Sequence, residues 1–225
     1  MSVLFKETFY DFPFDCDILK RFESFLPQIC SDEFYGVMIV GTCKGSIIDR
    51  EDKKIFFKAA YDNTSYKLFD NEVMIFKTLE ENSFIPKFYG YKEYGRYKIM
   101  FMEYIKGNTL EILTPKSDLW NIKIREVLEK LYFLYKKHKF IHNDISMDNI
   151  LIDDNYNIYI IDFEVSRING YWSDEFNAMI FRLINDGDVD TNFTEFEQYL
   201  EYNKTNNDPE KYLKAINVFM KYFDQ

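Results

Sequence analysis

The pattern of this chain changes near residue 105, from runs of strand-forming residues to the apolar spacing of helices. Before that point, segments rich in β-branched and aromatic residues predict antiparallel strands at 34–41, 45–49 and 53–60 and a hairpin at 88–105. One helix, at 69–82, interrupts these strands. We therefore predict an α+β protein in which a strand-rich lobe with one helix precedes a helical lobe.

The second half of the chain carries the apolar spacing of helices at 118–138 and 173–184. Two further helices follow, each with a polar residue at its expected start. Thr194 and Glu197 have the spacing of a capping box, and Asp208 is a candidate N-cap because a proline follows it. The aromatic content, 19% of all residues, predicts a core rich in rings.

Three parts follow from these patterns. Residues 1–31 are predicted to form an N-terminal helical extension with a helix at 17–28, which either docks on the β lobe or recruits a partner. Residues 32–105 form the small antiparallel β lobe, and residues 106–225 form a reduced helical lobe. Gly107 is expected to act as the hinge between the two lobes.

Charge and composition exclude several classes of function. The formal net charge is −10, which argues against a nucleic-acid partner and against binding to an anionic membrane. No run reaches the roughly 18 apolar residues that a membrane-spanning helix needs, so we expect no membrane insertion. The three cysteines have neither paired nor metal-type spacing, which favours a reducing, cytoplasmic compartment, with secretion into a host cell left open.

Two polar clusters flank a second hairpin in the stretch HNDISMDNILIDDNYNIYIIDFE, residues 142–164. Asp144 and Asn149 follow the spacing H-x-D-x-x-x-x-N, and Asp162 comes directly after the second strand. A phosphoryl-transfer site needs one carboxylate facing the attacking hydroxyl, and a second carboxylate and an amide to hold a metal ion. Hard oxygen donors suit Mg²⁺, so the stretch has the residue types that such a site requires.

This stretch resembles the catalytic loop and the metal-binding motif of the protein-kinase-like superfamily. The resemblance implies that Asp144 is the catalytic base, that Asn149 and Asp162 are metal ligands, and that ATP and Mg²⁺ are the cofactors. It also implies that Lys58, in IFFKAA, contacts the nucleotide phosphates and pairs with Glu72 of NEVMIFKTL.

The likeness extends through FIPKFYGYKEYGRYKIMFMEYIKG, residues 84–107, which is similar to the family's run into the segment that joins the lobes. It implies that Met102 is the gatekeeper residue beside the adenine. It further implies that Glu103 and Tyr104 offer backbone groups to the adenine. The matching elements occur in the family's order at plausible spacings, which makes the resemblance specific.

Several positions depart from the family pattern. The phosphate loop VGTCKGSII keeps only Gly41 and Gly45, so fewer backbone N–H groups are available to the phosphates. Asn143 stands where the family usually has Arg, Ser146 where Ser/Thr kinases usually have Lys, and Glu164 where the metal motif has Gly. The segment after the metal motif is also short. These departures predict a minimal, atypical kinase-like fold.

The predicted function is ATP- and Mg²⁺-dependent phosphoryl transfer, and we interpret the chain as an atypical protein serine/threonine kinase acting on a protein hydroxyl. HND and IDFE also occur in choline kinases and aminoglycoside phosphotransferases, so a small-molecule alcohol is the alternative acceptor. A pseudokinase scaffold is the second alternative. The compact helical lobe favours a protein substrate, whereas the short segment after Asp162 favours a small one.

Overall fold

The computed structural model describes residues 8–9, 38–40, 43–49, 54–60, 63–94, 97–185 and 191–223. It divides into two compact units, Met1–Tyr104 and Ile105–Gln225. Within the described residues the first unit holds a sheet and one helix, and the second is mainly helical, so the α+β class is confirmed. The predicted helix at 17–28 lies outside the described residues, and the three-part division of the chain stays a prediction.

The first unit contains an antiparallel sheet of six strands in the order β1-β5-β6-β4-β3-β2. The strands are β1 (Thr8–Phe9), β2 (Met38–Val40), β3 (Cys43–Asp49), β4 (Lys54–Ala60), β5 (Phe88–Tyr94) and β6 (Tyr97–Glu103). The pairing of β5 with β6 confirms the predicted hairpin. Strands β4 and β6 are both largely buried along their length, so they form the centre of this sheet.

Helix α1 (Asn63–Leu79) packs on this sheet through an apolar stripe. Phe76 stacks on Phe88 of β5, with ring centroids 5.4 Å apart. The helix begins six residues before the predicted start, because its first turns are polar and carry little apolar period. It ends at Leu79, whose carbonyl accepts hydrogen bonds from the backbone N–H and the side-chain amide of Asn82 (3.0 and 2.7 Å).

The second unit begins with a small antiparallel sheet in the order β7-β8-β9. Its strands are β7 (Gly107–Thr109), β8 (Ile150–Asp153) and β9 (Ile158–Ile160). A Cβ added at Gly107 would lie 2.1 Å from the Ile152 carbonyl oxygen. The glycine is therefore required by the close approach of two strands, and its role as a hinge stays a prediction.

Two 3₁₀ turns, Leu110–Ile112 and Met147–Asn149, and four α-helices complete the described part of the second unit. The α-helices are α2 (Asp118–His138), α3 (Trp172–Asn185), α4 (Thr194–Asn203) and α5 (Pro209–Met220). Asp208 caps α5 by accepting from the Glu210 N–H (3.0 Å), as predicted. The predicted capping box at Thr194 is wrong: the N-cap is Phe193, and the Thr194 N–H donates to Asn192 (3.0 Å). Among the described residues, no helix is both long enough and apolar enough to cross a membrane.

The core of the second unit is built from aromatic rings carried by α3, α4 and α5 and by the residues beside them. Trp172 stacks on Tyr212 (centroids 6.0 Å apart), and Phe176 meets Tyr212 edge-on at 5.5 Å. The cluster continues through further buried rings: Phe193, Phe196, Phe219 and Phe223. This packing holds α3 firmly, and α3 carries two residues that contact the polar loop before β8.

Candidate active site

In the first unit, a lysine and a glutamate form an ion pair between β4 and α1. Lys58 Nζ lies 2.8 Å from Glu72 Oε2, and each residue is only 1% exposed. Removing two charged groups from water is costly, so the pair depends on its close geometry. The structure thus brings together two residues that the sequence analysis matched to each other.

The end of β6 carries the residues predicted to face the adenine. Met102 is 6% exposed and lies opposite Phe56 of β4 and Phe88 of β5. The Glu103 N–H donates to the carbonyl of Lys87 (2.8 Å), and the Lys87 N–H donates to the Glu103 carboxylate (3.1 Å). This backbone N–H of Glu103 is therefore already used within the sheet.

The two glycines of the predicted phosphate loop differ in what the structure describes. Gly45 lies inside β3, paired with Met38 of β2 on one side and with Lys58 of β4 on the other. Gly41 lies outside the described residues. Gly45 therefore belongs to the strand that flanks Lys58.

In the second unit, a short loop links the predicted base to a predicted metal ligand. The Asn149 side-chain amide donates to the Asp144 carbonyl oxygen (2.9 Å) and lies 3.4 Å from Asp144 Oδ2. Asn149 ends a single 3₁₀ turn (Met147–Asn149) that leads directly into β8. Because its amide nitrogen is fixed by Asp144, its amide oxygen is directed away from that carbonyl.

Asp162 follows β9 and is tied to the same loop through the backbone. The Ile161 N–H donates to the Asn149 carbonyl (3.1 Å), so Asn149 and Asp162 flank one hydrogen-bonded strand end. Asp162 has φ 64° and Asn143 has φ 68°, both in the left-handed region. Aspartate and asparagine tolerate that region better than most residues, and such conformations concentrate at functional sites.

His142 is a buried scaffold for this loop. Its ring contacts Phe140 and Phe163 edge-on (centroids 6.3 and 5.4 Å away), and its Nε2–H donates to the Ile161 carbonyl (2.8 Å). Burial lowers the pKa of His142, which keeps the imidazole neutral. The residue therefore connects the loop of Asp144 to the strand end of Asp162 without carrying charge.

Glu175, in the first turn of α3, is a site residue that the sequence analysis missed. Its Oε2 accepts from the backbone N–H of His142 (2.6 Å) and of Asn143 (3.4 Å), and the residue is 1% exposed. The sequence did contain one indication that Glu175 is buried: it lies three residues after Trp172 and four before Met179, and therefore on the apolar face of α3. The neighbouring Asp174 instead pairs with Arg167.

Burial raises the pKa of Glu175 to about 7, and its Oε1 has no hydrogen-bond partner among the described residues. The folded chain therefore holds a proton up to about pH 7 that the unfolded chain releases near 4.5. Since the folded state binds more protons in that interval, the contribution of Glu175 to stability falls as pH rises through it, by up to about 3 kcal/mol.

We expect Glu175→Gln to remove this pH dependence, because a glutamine oxygen still accepts from the two N–H groups but does not titrate. Denaturant unfolding of both proteins between pH 4.5 and 8 measures the difference. The stability of the parent relative to the variant should decline with rising pH. Parallel curves would contradict the assignment of the titrating group to Glu175.

The catalytic-base candidate has a second partner, also missed from the sequence. The guanidinium of Arg182, in α3, forms an ion pair with Asp144 Oδ1. Arg182 lies 38 residues beyond Asp144, and no spacing rule connects the two. Asp144 is therefore contacted from its own loop by Asn149 and from α3 by Arg182.

The family model for the protein kinase domain matches residues 45–179, more than half of the chain. The matched range contains Lys58 and Glu72 of the first unit and the loop and hairpin carrying Asp144, Asn149 and Asp162 of the second. The chain belongs to the protein kinase domain family. Members of this family in general use ATP and a divalent metal ion.

Protein kinases of three distant organisms are similar to this chain. The LEAF RUST 10 disease-resistance locus receptor-like protein kinase-like 1.2 of Arabidopsis thaliana is 29% identical over 129 residues, 53% of this chain and 20% of the relative. The dual specificity protein kinase zakA of Dictyostelium discoideum is 34% identical over 91 residues, 37% of this chain and 12% of the relative.

Serine/threonine-protein kinase D of Synechocystis is 33% identical over 111 residues, 46% of this chain and 22% of the relative. The chain thus spans less than a quarter of the length of these three curated relatives. The similarity carries no information on the remaining length of those proteins.

Proposed function

We propose that the chain is an ATP- and Mg²⁺-dependent phosphotransferase, and specifically an atypical protein serine/threonine kinase that phosphorylates a protein hydroxyl. The observation that carries this proposal is the linked arrangement of Asp144, Asn149 and Asp162. Asn149 donates its side-chain amide to Asp144, and its carbonyl accepts from the N–H of Ile161, the residue directly before Asp162. This set supplies an acceptor-facing carboxylate and two oxygen ligands within one unit of the protein.

Asp144 is proposed as the base that receives the proton of the acceptor hydroxyl. A base must lie within hydrogen-bond reach of the proton that it takes, so its side chain must be held in one orientation. Asp144 Oδ2 lies near the Asn149 amide and Oδ1 contacts Arg182, which restricts rotation of the carboxylate. Its side chain is 26% exposed, so an acceptor can reach it.

The donor set fits a magnesium ion. Asn149 and Asp162 offer an amide oxygen and a carboxylate, both hard ligands of the kind that Mg²⁺ takes. When bound, the ion supplies positive charge that neutralises the nucleotide phosphates. The contribution of the chain is to fix the ligands, through the Asn149 amide contact with Asp144 and the left-handed backbone of Asp162.

Residues of the first unit are proposed to hold the nucleotide. Lys58 is the candidate contact for the phosphates, with Glu72 orienting its ammonium from 2.8 Å. Met102 is the proposed gatekeeper beside the adenine, and Tyr104 a backbone contact. Since the Glu103 N–H is already bonded to Lys87, a contact from Glu103 would use its carbonyl. Gly41 and Gly45 are proposed, from the sequence alone, as the phosphate-loop residues that contact the nucleotide.

A small-molecule alcohol is the second candidate acceptor, supported by the brevity of the segment between Asp162 and α3. This segment, residues 163–171, is closed by an antiparallel bridge between Ile141 and Arg167, whose backbone groups exchange two hydrogen bonds of 2.9 Å. So short a bridged segment offers little backbone on which an extended peptide could dock.

The proposed function is tested by incubating the full chain with γ-labelled ATP and Mg²⁺, with cell-lysate proteins and with a panel of choline and aminoglycosides. We expect the label in protein, and its loss in an Asp144→Asn variant and on chelation of the metal. Label in a small molecule instead would establish the second candidate. Label in neither, with ATP still bound, would leave a pseudokinase and overturn the proposal.

A further inference from the structure

Helix α3 contacts the loop that carries the candidate base, Asp144, through two of its side chains. Near its N-terminus, Glu175 accepts hydrogen bonds from the backbone N–H groups of His142 and Asn143. Two turns later, Arg182 forms an ion pair with the carboxylate of Asp144. Residues seven apart lie on the same face of a helix, so one face of α3 presents a hydrogen-bond acceptor and a cation to consecutive loop residues.

The loop itself supplies no cation. The sequence HNDISMDN, residues 142–149, contains neither lysine nor arginine. Ser146 donates its hydroxyl to Asp148, so its side chain is engaged within the loop. The positive charge that meets Asp144 Oδ1 therefore comes from α3, through Arg182.

The pair of Arg182 and Asp144 is unsuited to a role in stabilising the fold. The two side chains are 41% and 26% exposed, and ion pairs accessible to water contribute little to folding stability. The aromatic core that holds α3 is separate, because it is formed by Trp172, Phe176 and their neighbours. An Arg182 substitution is thus expected to change the site without unfolding the chain.

We propose that Arg182 is a positioning residue for phosphoryl transfer, a role that rests on the proposed function. Its guanidinium holds Oδ1, which fixes the side-chain torsion of Asp144 and presents Oδ2 to the acceptor hydroxyl. The acceptor oxygen bonds to the γ-phosphorus as the bond from phosphorus to the bridging oxygen breaks, ADP leaves, and the hydroxyl proton passes to Oδ2. Guanidinium geometry suits this task, because its donors form a rigid planar fork.

The test compares Arg182→Gln, Arg182→Lys and Arg182→Ala with the unsubstituted parent chain. We expect Arg182→Gln to lower kcat by about 100-fold, the scale of a misplaced catalytic group, with the KM for ATP unchanged. Arg182→Lys should recover part of the loss, since it restores the charge without the fork. Millimolar guanidinium added to Arg182→Ala should raise kcat, whereas methylammonium should do less.

Arg125→Gln is the matched control, because Arg125 lies in the same unit and contacts Asn217 (3.4 Å) away from the loop. It should leave kcat unchanged. If the parent transfers phosphate and Arg182→Gln does so equally well, the positioning role is overturned and the proposed function stands. A loss of kcat accompanied by unfolding, with rescue by neither lysine nor guanidinium, also overturns it. If the parent and the control are both inactive with every acceptor, the proposed function fails and this inference fails with it.

Discussion

Replacing Asp162 by alanine should lower kcat for phosphoryl transfer by about 10³-fold or more and leave the chain folded. The proposed metal site has two ligands from the protein, and the substitution removes the one with a full negative charge. The residue also sits at φ 64°, where alanine costs about 1 kcal/mol relative to an unstrained position. That cost is small against the stability of a domain, so the loss of activity should not follow from unfolding.

Two further substitutions separate charge from backbone conformation at this position. Asp162→Asn keeps the size of the side chain and its tolerance of the left-handed region but removes the charge. Asp162→Gly removes the side chain and accepts φ 64° at no steric cost. Both should be as inactive as Asp162→Ala, and Asp162→Gly should be more stable than Asp162→Ala in thermal unfolding.

The hairpin of β8 and β9 also contains an aspartate that serves as a control for the Asp162 substitutions. Asp154, in the turn between β8 and β9, forms an exposed ion pair with Lys106, and both side chains are more than 60% exposed. Asp154→Asn should retain full activity. A second readout is the rise in melting temperature on adding ATP with Mg²⁺, which the parent and Asp154→Asn should share and Asp162→Asn should lose. Turnover of ATP by Asp162→Ala at the parental rate would show that the metal assignment is wrong.

Local patterns in the sequence predict most of the helices, because the residues at the helix ends carry capping signals as well as the apolar period. The predicted helix at 118–138 coincides with α2, because its apolar period is strong and both ends carry signals. Ser117 accepts from the Trp120 N–H at the start, and Lys139 adopts a left-handed conformation at the end. At Thr194, by contrast, both the backbone N–H and the hydroxyl donate to the side-chain oxygen of Asn192, so the threonine does not act as the predicted cap.

The candidate site likewise contains residues that local sequence patterns predict and residues that they do not. Asp144, Asn149 and Asp162 are predicted as site residues from their spacing along the chain, since they lie on one loop and the hairpin that follows it. Glu175 and Arg182 are not, because their contacts with that loop depend on how α3 packs in the aromatic core. Sequence spacing reports local geometry, whereas these two contacts are set by tertiary packing that no motif encodes.

Breaking the ion pair of Lys58 and Glu72 should destabilise the first unit more than any other single charge removal proposed for it. Glu72→Ala leaves the Lys58 ammonium buried without the carboxylate that now lies 2.8 Å from it. Loss of one partner from a buried pair costs about 3–5 kcal/mol, whereas replacing both partners by apolar residues is often neutral. Lys58→Met combined with Glu72→Leu should therefore recover most of the stability lost in Glu72→Ala.

Activity should not recover with stability, and this difference separates the two roles of the pair. If Lys58 contacts the nucleotide phosphates, the double variant folds like the parent, binds ATP weakly and transfers no phosphate. Lys98 and Asp70 form a matched control pair on the same sheet and helix, and their side chains are 22% and 59% exposed. Removing this pair should lower the free energy of unfolding by less than about 1 kcal/mol and leave phosphoryl transfer intact. Chemical denaturation and γ-labelled ATP assays on both sets of variants measure these outcomes. Phosphoryl transfer by the stable double variant at the parental rate would mean that the buried pair only supports the fold, because a methionine cannot neutralise phosphate charge.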